Sequence, residues 1–344
     1  MIDAMVVATA GWSIRVRRRS LLVCVTLTVA VLAGILVTLS AGVNSFPVSR
    51  VFAVFAGHGL PAENLIIGEL RLPRAVTAML VGVALGVAGA LFQSLTRNPL
   101  GSPDVVGFNS GASTGALVVM LVLHAGAGAV PVGAIAGGAI TAAVVFLLSS
   151  RHGVSPLRLV LVGIGAGALL NSLNSLLIVH SQLYDAQSAS VWLVGNLAGS
   201  GWDEVRLIGG TLLVGLVLCV GLSRPLSLGE FADDRSMSLG LHVGRTRTVA
   251  VATGVLLASA AVAISGPIQF IALSAPQVAR RLTGAPGPNL AASGITGALL
   301  LVVADFAARE AFQPRQLPVG VLTGLVGGVY LAWLLGSEWR KGRA

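Results

Sequence analysis

TVAVATGVLLASAAVAISGPIQFIALSAPQVA, residues 248–279, runs for 32 positions without a charged side chain and carries Gly266-Pro267 near its middle. A membrane-crossing helix needs about 20 apolar residues, so this run is too long for one helix and rather short for two. Gly-Pro is a strong breaker and offers a place to divide it. Parity decides whether it does. Both ends of the chain are basic, with Arg15, Arg17, Arg18 and Arg19 at one and Arg340, Lys341 and Arg343 at the other. Cytoplasmic flanks carry the excess of Lys and Arg, and two ends on the same side require an even number of spans.

Elsewhere the count is plain. Uncharged intervals at 20–49, 75–96, 159–184, 207–223, 282–304 and 316–337 each take one helix, and 105–150 takes two, with a turn near His124 to Val130. These make eight, and division at Gly266-Pro267 makes ten. With ten, sixteen of the 22 Lys and Arg residues fall on the cytoplasmic side and six fall outside: Arg50, Arg71, Arg74, Arg206, Arg309 and Arg315. That bias is the one the positive-inside rule expects. The expected fold is all-α, a polytopic membrane protein of ten transmembrane helices with both termini cytoplasmic.

Composition agrees. Hydrophobic residues make up 55% of the chain and charged residues 10%, with a mean hydropathy of +0.90, whereas a soluble domain carries roughly 25% charged residues. A water-soluble fold is excluded, and no stretch is left for a separate soluble domain. Residues 1–344 are read as a single membrane domain, 1–19 as a basic cytoplasmic segment and 224–247 as the longest cytoplasmic connection. Arginines before an apolar stretch also begin secretory signals, but 20–49 exceeds the roughly 7–15 residues of a cleavable core. A retained first helix is expected. The formal charge of +9 reads as topology rather than nucleic-acid binding, because the basic residues punctuate apolar runs and form no stripe with aromatics.

Small residues at four-residue spacing let helix backbones approach closely in a bilayer. Gly107, Gly111 and Gly115 have that spacing, as do Gly320, Gly324 and Gly328, with Gly82/Gly86 and Gly163/Gly167 as further pairs. Packing within one subunit is the expected use; a subunit interface or a substrate path is the alternative. Two four-helix blocks, 73–178 and 248–336, would have opposite orientation, as inverted repeats do.

Several chemistries find no residues. A P-loop needs a lysine on the nucleotide phosphates, and the one lysine is Lys341. His58, His124, His152, His180 and His242 are scattered, and Cys24 and Cys219 lie in apolar runs, so no metal site and no disulfide framework is expected. No nucleophile elbow is expected, and the acidic pairs Asp203-Glu204 and Asp233-Asp234 read as solvated loops. Asp305 is the one carboxylate inside an apolar run that could serve ion coupling. With Arg309 one turn away, it reads either as a local ion pair or as a group with a role in docking or transport.

The stretch RLPRAVTAMLVGVALGVAGALFQSLTRNPLGSPDVVGFNSGASTGAL, residues 71–117, resembles the signature region of the FecCD family, the permeases of iron-siderophore and vitamin B12 importers. Further blocks are similar in the same order: LVLVGIGAGALLNSL at 159–173, VWLVGNLAG at 191–199, GPIQFIALSAPQVARRL at 266–282, ADFAAR at 304–309 and LPVGVLTGLVGGVYLAWLL at 317–335. Within the family, the stretches FQSLTRNPLGSPDVVGFNSGA and ALSAPQVARRLTG look most like permeases of ferric enterobactin systems.

The resemblance implies a ten-helix subunit with an inverted four-helix repeat in the cytoplasmic membrane of a bacterium. It implies a second permease subunit, homologous or identical, a cytoplasmic ATPase dimer and an extracytoplasmic siderophore-binding protein. ATP and magnesium would be bound by the ATPase, and no cofactor by this chain. Family permeases dock their binding protein through external arginines, matched here by Arg71, Arg74 and Arg309. The segment LSLGEFADDRSMSLGLHVG is similar to the coupling segment that sits in a groove of the ATPase. It gives Leu228, Gly229, Glu230, Arg235, Leu239, Gly240 and Leu241 as contacts, with about two extra residues between Gly229-Glu230 and Leu239-Gly240. Gln269, Ala272 and Gln277 stand where family members commonly have glycines and a histidine. At the gate VSPLR, 154–158, Pro156 and Leu157 replace small hydroxyl residues, leaving Ser155. A wide path for a large chelate would be lined by Ser155, Asn171, Asn174, Gln269 and Ser274. The resemblance implies no catalysis by this subunit.

Overall fold

The computed structural model describes residues 4–9, 12–42, 44–149, 156–229, 233–238, 240–311 and 316–341. The chain does break where Gly266-Pro267 suggests: one helix, Val243–Ser265, ends at Gly266 with φ +66°, and the next, Ile271–Thr283, begins five residues later. The freed Ser265 carbonyl accepts the Asn196 N–H at 2.7 Å. Gly266 is close-packed as well as left-handed, since a Cβ there would sit 2.2 Å from the Trp192 carbonyl oxygen. Phe270 also takes a left-handed φ, +68°, an uncommon conformation for a bulky residue.

Among the described residues, seven helices are long and apolar enough to cross a membrane: Arg18–Ser40, Pro61–Thr96, Val130–Ser149, Leu157–His180, Trp202–Leu228, Val243–Ser265 and Leu290–Glu310. Phe108–Val122 and Val319–Trp333 are shorter apolar helices, and the turn between Val122 and Val130 lies where the uncharged 105–150 interval was divided. At the N-terminus, Ala4–Thr9 and Trp12–Arg17 pair as an antiparallel hairpin leading directly into the first helix. The 12–17 run WSIRVR alternates apolar and polar side chains, a period-two pattern that favours a strand. From Arg18 onward the regular structure of the described residues is helical, in keeping with the expected all-α fold class.

Helices 61–96 and 243–265 form the centre and are buried along most of their length, whereas 18–40, 156–180 and 202–228 are peripheral. Inside a bilayer there is no hydrophobic drive between helices, so close van der Waals packing does the work. The glycines provide it. A Cβ on Gly82 would lie 2.4 Å from the Gly297 carbonyl oxygen, on Gly86 2.3 Å from that of Ser293, and on Gly115 2.0 Å from that of Gly133. Gly107 abuts Gly163 and Gly167, but Gly324 and Gly328 face open space. Around these contacts Val81, Leu85, Leu257, Ala258, Ala261 and Leu301 form one continuous apolar cluster.

The packing partners interchange between the two blocks. Helix 61–96 packs on 290–310 and 271–283, as 243–265 packs on 130–149 and 108–122; the pair 108–122/130–149 is echoed by 271–283/290–310. Residues 111–115, Gly-Ala-Ser-Thr-Gly, spell G-x-S-x-G. The nucleophile elbow needs a strand-to-helix turn, however, and all five residues lie inside helix Phe108–Leu117 with Ser113 buried.

The connection 97–107 dips against the break at 266–270. Asp104 accepts from the Asn109 amide and the Phe270 N–H. Asp203 and Glu204 are not loop residues. They occupy the first turn of Trp202–Leu228, where Glu204 accepts the Gly201 N–H at 2.8 Å, as acids at a helix N-terminus do.

Candidate functional site: an arginine cluster and the 228–241 segment at opposite ends of one helix

Helix 61–96 begins with Pro61, whose missing N–H costs nothing at the first helical position, and its first turn is fixed by Glu63. That carboxylate accepts the Leu60 N–H at 3.0 Å and pairs with Arg50 at 2.9 Å. Residues Asn64–Arg71 wind in a wide π-type turn, a geometry frequent at functional sites, and it delivers Arg71 and Arg74 to the end of helix 290–310.

There the three arginines meet. Arg74 donates to both Asp305 carboxylate oxygens, through Nε at 3.1 and 3.2 Å and Nη2 at 2.8 Å, and its Nη1 donates to Gln316 Oε1 at 3.0 Å. Asp305 is thus not the local partner of Arg309 that its spacing suggested. Arg309 turns away: its Nη2 donates to the Thr38 carbonyl at 2.9 Å, and its Nε lies 3.4 Å from Glu310 Oε1. Arg71 donates to the next carbonyl, Leu39, and to Asn44, each at 2.8 Å, with its guanidinium 5.4 Å from the Phe46 ring centroid. Gly42, at φ +129°, leaves room for that guanidinium, for a Cβ there would lie 2.8 Å from Arg71 Nη2.

The physical logic is that of a helix C-terminus. The last carbonyls of helix 18–40 lack intrahelical donors and carry the negative end of its dipole, so two cations settle on Thr38 and Leu39. Arg74 and Arg309 are buried, and Arg71 is half-buried and nearest to solvent.

At the other end, helix 61–96 stops at Arg97, whose φ of +48° is left-handed. Its guanidinium donates twice to the Gly229 carbonyl, at 2.8 and 3.3 Å. The 224–247 connection is more ordered than a loop. Helix 202–228 runs through Arg224, a short helix covers Asp233–Ser238, and Gly240 turns the chain at φ +81°. Ser236 Oγ donates to the Leu228 carbonyl at 2.9 Å and the Leu241 N–H to the Ser236 carbonyl at 3.0 Å. Arg235 is exposed. A pocket opens beside this segment between Leu95, Arg97, Leu226, Leu241 and Arg247. Glu230 and Leu239 lie outside the described residues, as does Ser155.

The other residues expected along a path do not share one environment. Asn174 is buried and accepts from Thr114 Oγ1 at 2.7 Å, and Ser274 donates to the Phe270 carbonyl at 2.7 Å, while Asn171 and Gln269 are exposed. Arg97 and Gln316 were missed from the sequence. A basic residue immediately after a long span was the available signal for Arg97; Gln316 carries none.

A bundle of helices long and apolar enough to cross a membrane, with charged side chains gathered at two ends, defines an integral membrane protein. The FecCD transport family model matches residues 27–337. The ferric enterobactin transport system permease protein FepG of Escherichia coli (strain K12) is 41% identical over 95% of this chain and 99% of its own length. The Fe(3+)-citrate import system permease protein YfmE of Bacillus subtilis (strain 168) is 36% identical over 92% and 96% respectively. A solved structure described as an inward-facing conformation of a metal-chelate type ABC transporter matches with a TM-score of 0.81 at 27% identity, covering 92% of this chain and 99% of that one. The chain belongs to the FecCD transport family.

Proposed function

We propose that this chain is the permease subunit of a binding-protein-dependent ABC importer that carries a ferric siderophore, a catecholate of the enterobactin type, across the cytoplasmic membrane of a bacterium. The observation that carries this reading is the near-complete match to a ferric enterobactin permease, 41% identical over 95% of the chain. Its geometry fits the task. One helix holds the arginine cluster at one end and contacts the ATPase-facing segment at the other.

In this reading the seven long spans, the two shorter apolar helices and Ile271–Thr283 make ten crossings with both termini cytoplasmic. Four crossings lie between helix 61–96 and helix 243–265, which therefore run in opposite directions, so the interchange of packing partners corresponds to an inverted repeat. A loaded binding protein would dock on Arg71, with Arg74 and Arg309 behind it. A cytoplasmic ATPase dimer would bind ATP and magnesium and engage Leu228, Gly229, Glu230, Arg235, Leu239, Gly240 and Leu241. A second permease subunit would complete the path, with Ser155, Asn171, Asn174, Gln269 and Ser274 along it, and a central cavity would open to each side in turn.

Two measurements test this. Uptake of labelled ferric enterobactin by cells lacking the gene should be abolished and restored by the gene; unchanged uptake of this and every other ferric siderophore would refute the assignment. For the docking face, Arg71→Glu should weaken binding-protein association at least about tenfold by placing like charges across the contact, while membrane insertion stays normal. Docking of undiminished affinity would remove Arg71 from that role.

A further inference from the structure

We infer that Arg97 is the positioning residue through which movement of the ATPase-facing segment reaches helix 61–96 and the docking end beyond it. The inference rests on the importer reading and deepens it.

The geometry is that of a strut with a hook. The α-helical part of helix 61–96, Leu72–Thr96, has 25 residues, about 38 Å at 1.5 Å per residue, and its centre is pressed against neighbours by backbone contacts at Gly82, Gly86 and Gly89. A rod so packed shifts as a unit more readily than it bends. At its cytoplasmic end the left-handed turn at Arg97 ends the helix in the manner of a C-terminal cap and aims the side chain sideways, off the helix axis.

Two N–H groups of the guanidinium, Nε and Nη2, donate to the Gly229 carbonyl oxygen. That carbonyl closes helix 202–228, where the dipole favours a cation. Immediately beyond, the Ser236 hydroxyl holds the Leu228 carbonyl, so the start of the coupling segment and the acceptor of Arg97 are tied into one short piece of chain. A displacement of residues 228–236 must therefore pull on Arg97 or break its bonds. The planar fork of arginine fixes direction in a way that the single point charge of lysine does not.

The test uses the full importer in proteoliposomes, with ATP hydrolysis measured with and without binding protein loaded with ferric enterobactin, and uptake measured in parallel. Arg97→Gln and Arg97→Ala should leave ATPase co-purification, binding-protein docking and basal hydrolysis within about twofold of wild type, while stimulated hydrolysis and uptake per ATP fall about tenfold, within the usual range of coupling between distant sites. Arg97→Lys should keep an intermediate fraction of both. A merely structural role would instead lower yield, docking and basal rate together. Retained stimulation and uptake in Arg97→Gln would overturn the inference. So would an Arg97→Gln complex that loses assembly and is rescued by lysine in yield but not in stimulation. Failure of the wild-type chain to co-purify with any ATPase would sink the importer reading itself, and that arm is read without any Arg97 variant.

Discussion

Replacing Asp305 with asparagine should lower the stability of the detergent-solubilised protein by about 3–5 kcal/mol, the cost of leaving one member of a buried ion pair uncompensated. The expectation follows from the Arg74 side chain, which is 10% exposed against 2% for Asp305 and has three of its contacts on that carboxylate. With the charge gone, the asparagine keeps one acceptor oxygen and turns an NH2 donor towards Arg74, while a guanidinium has five donors to satisfy. The pair joins helix 61–96 to 290–310, so its loss should loosen the contact that holds the other arginines on the end of helix 18–40. The control is the double variant Arg74→Met with Asp305→Leu. Replacing a buried pair by apolar side chains of similar volume is often neutral or stabilising, so this variant should recover most of the lost stability. If Arg74 also meets the binding protein, stability will return and docking will not; if both return, Arg74 serves only to hold the helices. Thermal unfolding followed by monodispersity, together with binding-protein association, separates these outcomes. An Asp305→Asn protein as stable as wild type would show that the pair contributes nothing.

This pair also marks where reading the sequence stops. Local rules join residues one helical turn apart, and they favoured Arg309 as the partner of Asp305. The actual partner is 231 positions away, and only tertiary packing can select it. Arg309 and Arg71 bind backbone carbonyls, which every residue has and no motif marks. By contrast, the break at Gly266-Pro267 was legible because it is a property of the local backbone, as was the turn between Val122 and Val130. The 12–17 hairpin strand was written in plain alternation but was overlooked beside the arginines. At the other end of helix 61–96, a two-residue departure in spacing left the contacts of the 228–241 segment open, and the partner of Arg97 is a carbonyl again. Asn174 was chosen as a path residue for its polarity, which cannot tell a side chain on a path from one bonded to Thr114.

Glycine spacing was legible in the same incomplete way, and it leads to the second large effect. Gly82→Val should prevent accumulation of folded protein, because its Cβ would lie 2.4 Å from the Gly297 carbonyl oxygen and 2.7 Å from the Ala298 Cα. Those are backbone atoms of a packed helix and cannot turn aside as a side-chain tip could. Overpacking of a core costs about 1–3 kcal/mol when side chains absorb it, and here helices 61–96 and 290–310 would have to separate along their contact. Gly115→Val should behave alike, with Gly133 oxygen 2.0 Å from the new Cβ. Gly324 and Gly328 have the same four-residue spacing but meet nothing within 4 Å. Alanine at either should leave the fold of this chain intact and gain up to about 1 kcal/mol of helix propensity. The contrast between these pairs is the discriminating result, because spacing alone predicts equal damage and contact geometry predicts opposite signs. Folded yield and unfolding temperature measure it. A Gly82→Val protein that inserts in normal amount and unfolds at the wild-type temperature would show that helices 61–96 and 290–310 do not depend on that backbone contact.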